Sequence, residues 1–398
     1  MLRILCFGLA WFLCVHCTAQ KKALLIIVDG IPADVIDRLQ PPHLQQIAQK
    51  GGWHHAYTGG QTGTVTQSPT VSAVGYDHVI TGTWSYKHNV WNNEIKSPNY
   101  NFPSVFRIFK QARPGGTTAI FSTWTDNRTK LAGEGASGFH FDLARDGYES
   151  DTARFSPKDP GRMQQIDDVV VDEAVRALHD MAPDLSWVYL EYPDDVGHRS
   201  GDGAEFDAAV LYADQQIGKI WSAVSLREKE LHEEWLVVVT TDHGRAASDG
   251  KNHGGQSDRE RATWIVTNVQ PNAHFEGDLA AVDITPSVCR FLELDVPPST
   301  RYEWDGCAFV GPAVVDNLRA TLQGKEIQLT WRAFQQGTPL RVLLSTTNNT
   351  AAGGRDTYQE LGSVDAGAGK FVLRKVKGAA IHKIVLEGDG FSASVQVR

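Results

Sequence analysis

The chain has 398 residues, too many for one small domain. Its content of 41% hydrophobic and 21% charged residues is typical of a soluble globular protein. The formal net charge of −9 disfavours binding to a nucleic-acid duplex or to an anionic membrane surface, because both partners select a basic stripe.

Residues 1–19 have the pattern of a secretory signal peptide. Arg3 precedes an apolar run over residues 4–15, and Cys17-Thr18-Ala19 offers small residues for cleavage after Ala19. The run is too short to span a bilayer, and no later stretch is a transmembrane candidate. The pattern therefore predicts an exported protein, periplasmic or extracellular, without a transmembrane segment.

Two cysteines, Cys289 and Cys307, remain after the predicted cleavage. An oxidising compartment would permit a disulfide between them, and two buried thiols are an equally good interpretation. Neither has the spacing of a thiolate metal site, so cysteine-bound zinc is excluded.

Three apolar runs predict strands that are buried on both faces, and each leads into acidic or histidine residues. They are residues 23–28 before Asp29-Gly30, residues 187–190 before Asp194 and His198, and residues 236–239 before Asp242-His243-Gly244, with His253 in the loop beyond. The carboxyl ends of parallel strands share one edge, where open α/β sheets bind their ligands. Aspartate and histidine side chains suit a divalent metal such as zinc at that edge.

Ser72 lies just before a short helix predicted over residues 74–81 and closed by Gly82. Free backbone N–H groups and the positive end of the helix dipole suit a hydroxyl there that attacks a phosphate-like anion. Capping the helix is the more common role of such a serine, and position by itself favours the cap.

Strands and helices alternate over residues 20–312, with further strands at residues 118–122 and 263–266. A helix over residues 280–294 takes its start from Thr285-Pro286, a cap followed by a first-turn proline. The alternation predicts an α/β domain with a doubly wound, mostly parallel sheet.

Residues 313–398 follow a different pattern, with short runs in which apolar and polar residues alternate, such as Ile327, Leu329 and Trp331. These runs, separated by Gly- and Asn-rich turns, predict a small antiparallel β-sandwich of the fibronectin type III or immunoglobulin type. It contains no catalytic constellation, and the sequence does not identify its partner.

Together these segments resemble the alkaline phosphatase superfamily, and within it the nucleotide pyrophosphatase/phosphodiesterase family, also called type I phosphodiesterases. The resemblance covers roughly residues 23–309 and rests on five motifs in the family's order. They are Val28-Asp29-Gly30, Ser72 with Thr81-Gly82 and Asn93, Pro193-Asp194 with Gly197-His198, Asp242-His243-Gly244, and His253. It implies an alkaline-phosphatase-like fold and hydrolysis of phosphodiester or pyrophosphate bonds in a small phosphate-ester substrate.

The resemblance also implies a centre of two zinc ions, with another divalent metal as the alternative. One ion would be held by Asp194, His198 and His253, and the other by Asp29, Asp242, His243 and the Ser72 hydroxyl. Ser72 would be the nucleophile that forms a covalent phosphoseryl intermediate. Asn93 and the N–H groups after Ser72 would bind the non-bridging phosphate oxygens.

Four positions depart from the family pattern. Ser72 replaces the usual threonine, Ala73 an aromatic residue that often stacks on a nucleobase, Gly75 a common asparagine, and Asn89 the usual glycine. A nucleotide substrate is therefore less well supported than the phosphoryl chemistry itself.

Two other functions remain open. A phosphomonoesterase on the same metals would add a cationic pair for the extra phosphate charge, and Arg128 and Lys130 are the candidates. Trp84 is a candidate for lining the substrate pocket. The third interpretation is a binding protein without turnover, but Ser72 and a full ligand set favour an enzyme.

Overall fold

The computed structural model of the chain describes residues 19–136, 138–374 and 378–397. The predicted signal peptide, apart from Ala19, lies outside these residues. Seven strands form the large sheet: β1 (Lys21–Val28), β2 (Gly52–Tyr57), β3 (Thr118–Ser122), β4 (Leu143–Arg145), β5 (Leu185–Leu190), β6 (Glu234–Thr240) and β7 (Ala262–Thr267).

Helices accompany these strands along the chain. They are α1 (Ala33–Leu39), α2 (Pro42–Ala48), α3 (Ser72–Thr81), α4 (Ser85–His88), α5 (Val105–Ala112), α6 (Arg162–Asp180), α7 (Tyr192–Ser200), α8 (Ala204–Leu231), α9 (Asp258–Arg261), α10 (Ile284–Phe291) and α11 (Pro298–Arg301). A π-helical turn occupies Asn127–Leu131. Among the described residues, none of the helices combines the length and the apolar composition that a bilayer crossing requires.

The strands lie in the order β2-β7-β6-β1-β5-β3-β4. The five from β6 to β4 are parallel, whereas β7 runs antiparallel to both β6 and β2. In the register, Val28 pairs with Leu190 and Ile27 with Thr240. The central strands β6, β1 and β5 therefore end side by side, which confirms the predicted α/β class and aligns the three strand-end motifs.

Successive side chains of each central strand point to opposite faces of the sheet, and each face has its own core. Leu25 and Ile27 of β1 pack on the side of α3, α5 and α10. Leu24, Ile26 and Val28 pack on the side of α1, α2, α6 and α8. Buried on both faces, the strand needs the continuous apolar sequence that predicted it.

The predicted helix over residues 280–294 was wrong in its bounds. Residues Ala281–Asp283 form a separate 3₁₀ turn, and α10 ends at Phe291. Asp283, not Thr285, stands at the N-cap position of α10. The Thr285 hydroxyl instead donates to the carbonyl oxygen of Val79 at 2.7 Å, so this residue joins α10 to α3 rather than capping its own helix.

The C-terminal strands form two antiparallel sheets. They are β8 (Val315–Gln323), β9 (Glu326–Ala333), β10 (Pro339–Ser345), β11 (Gln359–Asp365), β12 (Lys370–Leu373), β13 (His382–Gly388) and β14 (Phe391–Val397). One sheet has the order β12-β9-β8 and the other β11-β10-β13-β14. Ile327 and Leu329 of the first sheet share a core with Val342 and Ile384 of the second, which confirms a sandwich.

Cys289 and Cys307 are both free thiols. Burial raises the pKa of each of them above its usual value, so neither has the character of a reactive thiolate.

Candidate metal centre and nucleophile

Three neighbouring elements deliver the candidate ligands to the carboxyl edge of the sheet. Asp29 directly follows β1, and Asp242 and His243 follow β6. Asp194 and His198 lie on α7, which begins two residues after β5, and their spacing of four residues puts them on one helix face. The structure thus brings together residues that are far apart in sequence.

The first group surrounds the imidazole of His243. Its Nε2 atom lies 3.4 Å from Asp29 Oδ1, 3.2 Å from Asp242 Oδ2 and 3.3 Å from the hydroxyl oxygen of Ser72. All four side chains are buried. These distances place the proposed nucleophile directly beside one set of proposed ligands.

Apart from the Ser72 hydroxyl, which can donate to His243 Nε2, the atoms that converge at this point offer lone pairs. His243 Nδ1 lies 2.9 Å from the carbonyl oxygen of Gly244 and must donate to it, so Nε2 is the unprotonated nitrogen. Asp29 Oδ1 and Asp242 Oδ2 are buried and have no hydrogen-bond partner. Because buried oxygens without partners are costly, the site fits a bound cation.

The second group consists of Asp194, His198 and His253. His198 Nε2 lies 3.2 Å from Asp194 Oδ2 and 3.0 Å from His253 Nε2. His253 Nδ1 lies 2.8 Å from the carbonyl oxygen of Thr70, which again leaves Nε2 as the free nitrogen. Side-chain ligand atoms of all three residues lie within 4.8 Å of one another, as a common metal ion requires.

The two groups adjoin. The imidazole rings of His243 and His253 are stacked with centroids 3.7 Å apart and planes 17° from parallel. Asp194 also lies within 4.8 Å of the ligand atoms of Asp29 and His243. Two metals bound here would be close neighbours, the arrangement that can contact two oxygens of one phosphate.

The electrostatics of the metal-free groups point the same way. Burial, together with the charge of Asp194, raises the pKa of Asp29 to about 7. Burial, together with the charge of Asp29, holds the pKa of Asp242 well above its usual range. Burial also lowers the pKa of His243 well below its ordinary value. Carboxylates that resist ionisation and an imidazole that resists protonation form a site in which a dication is the stabilising partner.

Ser72 is the first residue of α3, and Val71, not Ser72, stands at the N-cap position. The backbone N–H of Ala73 donates to Asn93 Oδ1 at 3.0 Å, which brings the predicted Asn93 beside Ser72. That N–H is therefore engaged by Asn93 rather than open to a phosphate. Since Asn93 accepts through its oxygen, its NH₂ group is directed elsewhere as a donor.

Arg128 and Lys130 are paired with carboxylates in the structure. Arg128 donates to Glu134 and, through two nitrogens, to Asp146. Lys130 lies 2.7 Å from Asp126. Neither cation contacts a member of the two ligand groups.

Trp84 lies beyond the other end of α3. This ten-residue helix is about 15 Å long, so Trp84 is separated from Ser72 by that length. Trp84 is buried, stacks on Tyr57 with ring centroids 5.7 Å apart, and packs against Ala280 and Val282. The structure does not bring it to the ligand groups.

Sequence reasoning missed three residues that contact the ligands. The hydroxyl of Tyr76 donates to Asp29 Oδ2, as does that of Tyr189 at 2.8 Å, and the guanidinium of Arg245 is paired with Asp194. Tyr76 follows Ser72 by four residues and so lies on the same helix face, a spacing that could have identified it. Nothing in the sequence distinguishes Tyr189 within its apolar strand.

The chain matches known proteins in sequence and in fold. The family model described as type I phosphodiesterase / nucleotide pyrophosphatase matches residues 23–286, whereas a search of curated proteins finds no match. Among solved structures, a putative sulfatase from Bacteroides thetaiotaomicron is similar with a TM-score of 0.53 and 12% identity, over 89% of this chain and 85% of that one.

Two other solved structures are similar with lower TM-scores. Phosphonate monoester hydrolase of Agrobacterium radiobacter has a TM-score of 0.49 and 15% identity over 94% of this chain and 88% of that one. Murine ectonucleotide pyrophosphatase/phosphodiesterase 5, an inactive form in complex with AMP, has a TM-score of 0.49 and 14% identity over 70% and 96%. Because the family match spans more than half of the 398 residues, the chain belongs to the type I phosphodiesterase / nucleotide pyrophosphatase family.

Proposed function

We propose that the protein is an exported two-metal phosphodiesterase that acts through a covalent intermediate on Ser72. Family membership carries the coarser statement, that it is a phosphoester hydrolase. The two-metal mechanism on Ser72 rests on the position of its hydroxyl, 3.3 Å from His243 Nε2. The neighbouring carboxylate oxygens are buried and have no hydrogen-bond partner. Export rests on the sequence pattern of residues 1–19.

The residues present fit two divalent metals. Asp29, Ser72, Asp242 and His243 would hold one, and Asp194, His198 and His253 the other. Nitrogen and carboxylate ligands without thiolates suit zinc. Bound there, the metals would lower the pKa of the Ser72 hydroxyl and stabilise negative charge on the phosphate oxygens.

The protein side chains divide the remaining work. Ser72 Oγ loses its proton and attacks phosphorus, so that a new O–P bond forms while the bond to the leaving oxygen breaks. The leaving oxygen takes up a proton and departs as an alcohol or, from a pyrophosphate, as a phosphate. The Asn93 NH₂ group donates to a non-bridging oxygen, where negative charge builds. Water then attacks the phosphoseryl group: its oxygen bonds to phosphorus, the Ser72 Oγ–P bond breaks, and one proton of the water goes to Ser72 Oγ as the phosphate product leaves.

A diester or pyrophosphate is a better fit than a monoester. A phosphate monoester carries one more negative charge than a diester, and an additional cation would be needed to bind it. The two candidates, Arg128 and Lys130, are already paired with carboxylates. The purified protein is therefore expected to hydrolyse bis(p-nitrophenyl) phosphate faster than p-nitrophenyl phosphate. The reverse preference would make it a phosphomonoesterase.

Ser72→Ala is expected to lower kcat by several orders of magnitude, because it removes the hydroxyl that forms the proposed intermediate. Metal analysis should still find about two zinc ions per chain, since six other ligands remain. The matched control is Ser222→Ala on α8, whose hydroxyl donates to the Gly218 carbonyl, and its activity should equal that of the wild type. Turnover by Ser72→Ala at a rate near the wild type would assign the nucleophile to another residue.

A further inference from the structure

Arg245 is a fully buried cation next to the ligand groups. None of its surface is exposed, and it follows Asp242-His243-Gly244 directly in the sequence. Its guanidinium is paired with Asp194 Oδ1 and lies 5.8 Å from the centre of the Phe206 ring. Burying a guanidinium costs free energy unless an opposite charge and hydrogen-bond acceptors surround it.

Two glycines make room for this side chain. A Cβ atom at Gly30 would lie 2.7 Å from Arg245 Nη1, and one at Gly197 would lie 2.6 Å from Nε. Gly30 directly follows Asp29, and Gly197 directly precedes His198. The space for Arg245 is thus built into the two motifs that carry ligands.

The remaining nitrogens of Arg245 hold the loop that carries His253. Nε donates to the carbonyl oxygen of Gly250, and Nη2 donates to that of Lys251 at 2.8 Å. These residues precede His253 by three and two positions. One side chain therefore connects Asp194 on α7 with a ligand on the loop after β6.

We propose that Arg245 is a positioning residue for the metal held by Asp194, His198 and His253. By pairing with Asp194 Oδ1 it leaves Oδ2, the oxygen 3.2 Å from His198 Nε2, for the metal. It also places His253 by fixing the loop carbonyls. Mutation of residues that orient metal ligands in this way typically weakens metal binding by about 10- to 100-fold.

This proposal rests on the proposed two-metal function, and the test separates the two. Arg245→Met removes the charge and the donors but keeps a long apolar stem, and Arg245→Lys restores the charge without the fork of donors. The control is Arg259→Met, because Arg259 also donates to a carbonyl of the same loop, that of Ala246, but contacts no ligand.

The zinc affinities of the metal-free proteins would be measured by titration against a chromophoric chelator, with the melting temperature of each metal-free protein recorded alongside. We expect Arg245→Met to bind one zinc as the wild type does and the other about 10- to 100-fold more weakly. Arg245→Lys should fall between, and Arg259→Met should match the wild type.

Two unchanged zinc affinities in Arg245→Met would overturn the positioning role while leaving the two-metal function standing. A wild type that binds fewer than two metals would overturn both. Should Arg245→Met fail to fold, Gly197→Ala provides the second test, since its methyl group displaces the guanidinium without removing it. The same selective loss of one zinc is expected there, and equal affinities would again contradict the proposal.

Discussion

Gly75, one of the positions that depart from the family pattern, has a structural explanation. The residue lies in α3 against the strand-end motif, where a Cβ atom would stand 2.6 Å from the carbonyl oxygen of Asp242. A larger side chain at this position, such as the asparagine that the family resemblance leads us to expect, would have no room in this packing. The missing side chain lets the N-terminal half of α3 approach Asp242 and so brings Ser72 to His243.

Gly75→Ala is expected to destabilise the protein by about 1–3 kcal/mol, because overpacking outweighs the gain in helix propensity of about 1 kcal/mol. Urea denaturation of the metal-free proteins measures the difference. Gly115→Ala serves as control, since Gly115 is exposed with nothing within 4 Å of its would-be Cβ, and its change should stay within about 0.5 kcal/mol. A stable Gly75→Ala protein with full activity would contradict the close approach of α3.

At the scale of elements, hydrogen bonds join the segment before α3 to the loop after β6. Thr70 accepts from His253 through its carbonyl oxygen, and its hydroxyl accepts from the Gly254 N–H at 2.9 Å and donates to the Gly255 carbonyl oxygen at 2.9 Å. Thr70 precedes Ser72 by two residues. The proposed nucleophile and a proposed ligand of the neighbouring group are therefore positioned by one shared set of hydrogen bonds.

Removal of metal should loosen these elements selectively. A metal that binds only the folded protein stabilises it, so chelation with dipicolinate is expected to lower the melting temperature and abolish activity. Hydrogen exchange should rise in residues 241–255 and in α7, which carry five of the ligands, and stay unchanged in β9, β10 and β13 of the sandwich. Added zinc should reverse both effects. Full activity after complete metal removal would contradict the proposed centre.

At the scale of the whole molecule, a buried histidine joins the α/β part to the sandwich. His274 Nδ1 lies 2.7 Å from Asp316 on β8, and Nε2 lies 3.0 Å from Asp283 beside α10. Arg332 of β9 is paired with Asp316 as well. Burial by itself would lower the pKa of His274, but the charges of Asp283 and Asp316 outweigh it and raise that pKa to about 10.

The contacts of His274 with Asp283 and Asp316 predict that the folded protein loses stability at alkaline pH. Because the folded pKa of His274 lies above the unfolded value of 6.5, its contribution is fully present below pH 6.5 and disappears as the pH rises through about 10. The contribution is on the order of a few kcal/mol. Melting temperatures of the metal-loaded protein should therefore fall over this range.

His274→Gln is expected to be less stable at pH 6 and to show a flatter pH profile than the wild type. The exposed His179, changed to Gln, is the control and should keep the wild-type profile. Parallel profiles of wild type and His274→Gln between pH 6.5 and 10 would show that the histidine is not protonated at this interface.

The ligand motifs could be read from the sequence because of how parallel sheets are built. Apolar runs predicted β1, β5 and β6, and the carboxyl ends of adjacent parallel strands must share an edge. The sequence therefore predicts that Asp29, Asp194 and Asp242 converge. The alternation of apolar and polar residues within short runs predicted the sandwich, since successive side chains of its strands point alternately to core and solvent.

Only the tertiary structure decided which other side chains serve the centre. Trp84 is near Ser72 in the sequence, yet the length of α3 separates them, and pairing with carboxylates keeps Arg128 from the ligand groups. Tyr189 and Arg245, in contrast, contact Asp29 and Asp194, which lie far from them along the chain. Such contacts depend on how α3, α7 and the loop after β6 pack together, and local sequence patterns do not predict that packing. Sequence by itself determined the strand ends and the residue types placed there; the tertiary structure determined which partners hold them in position.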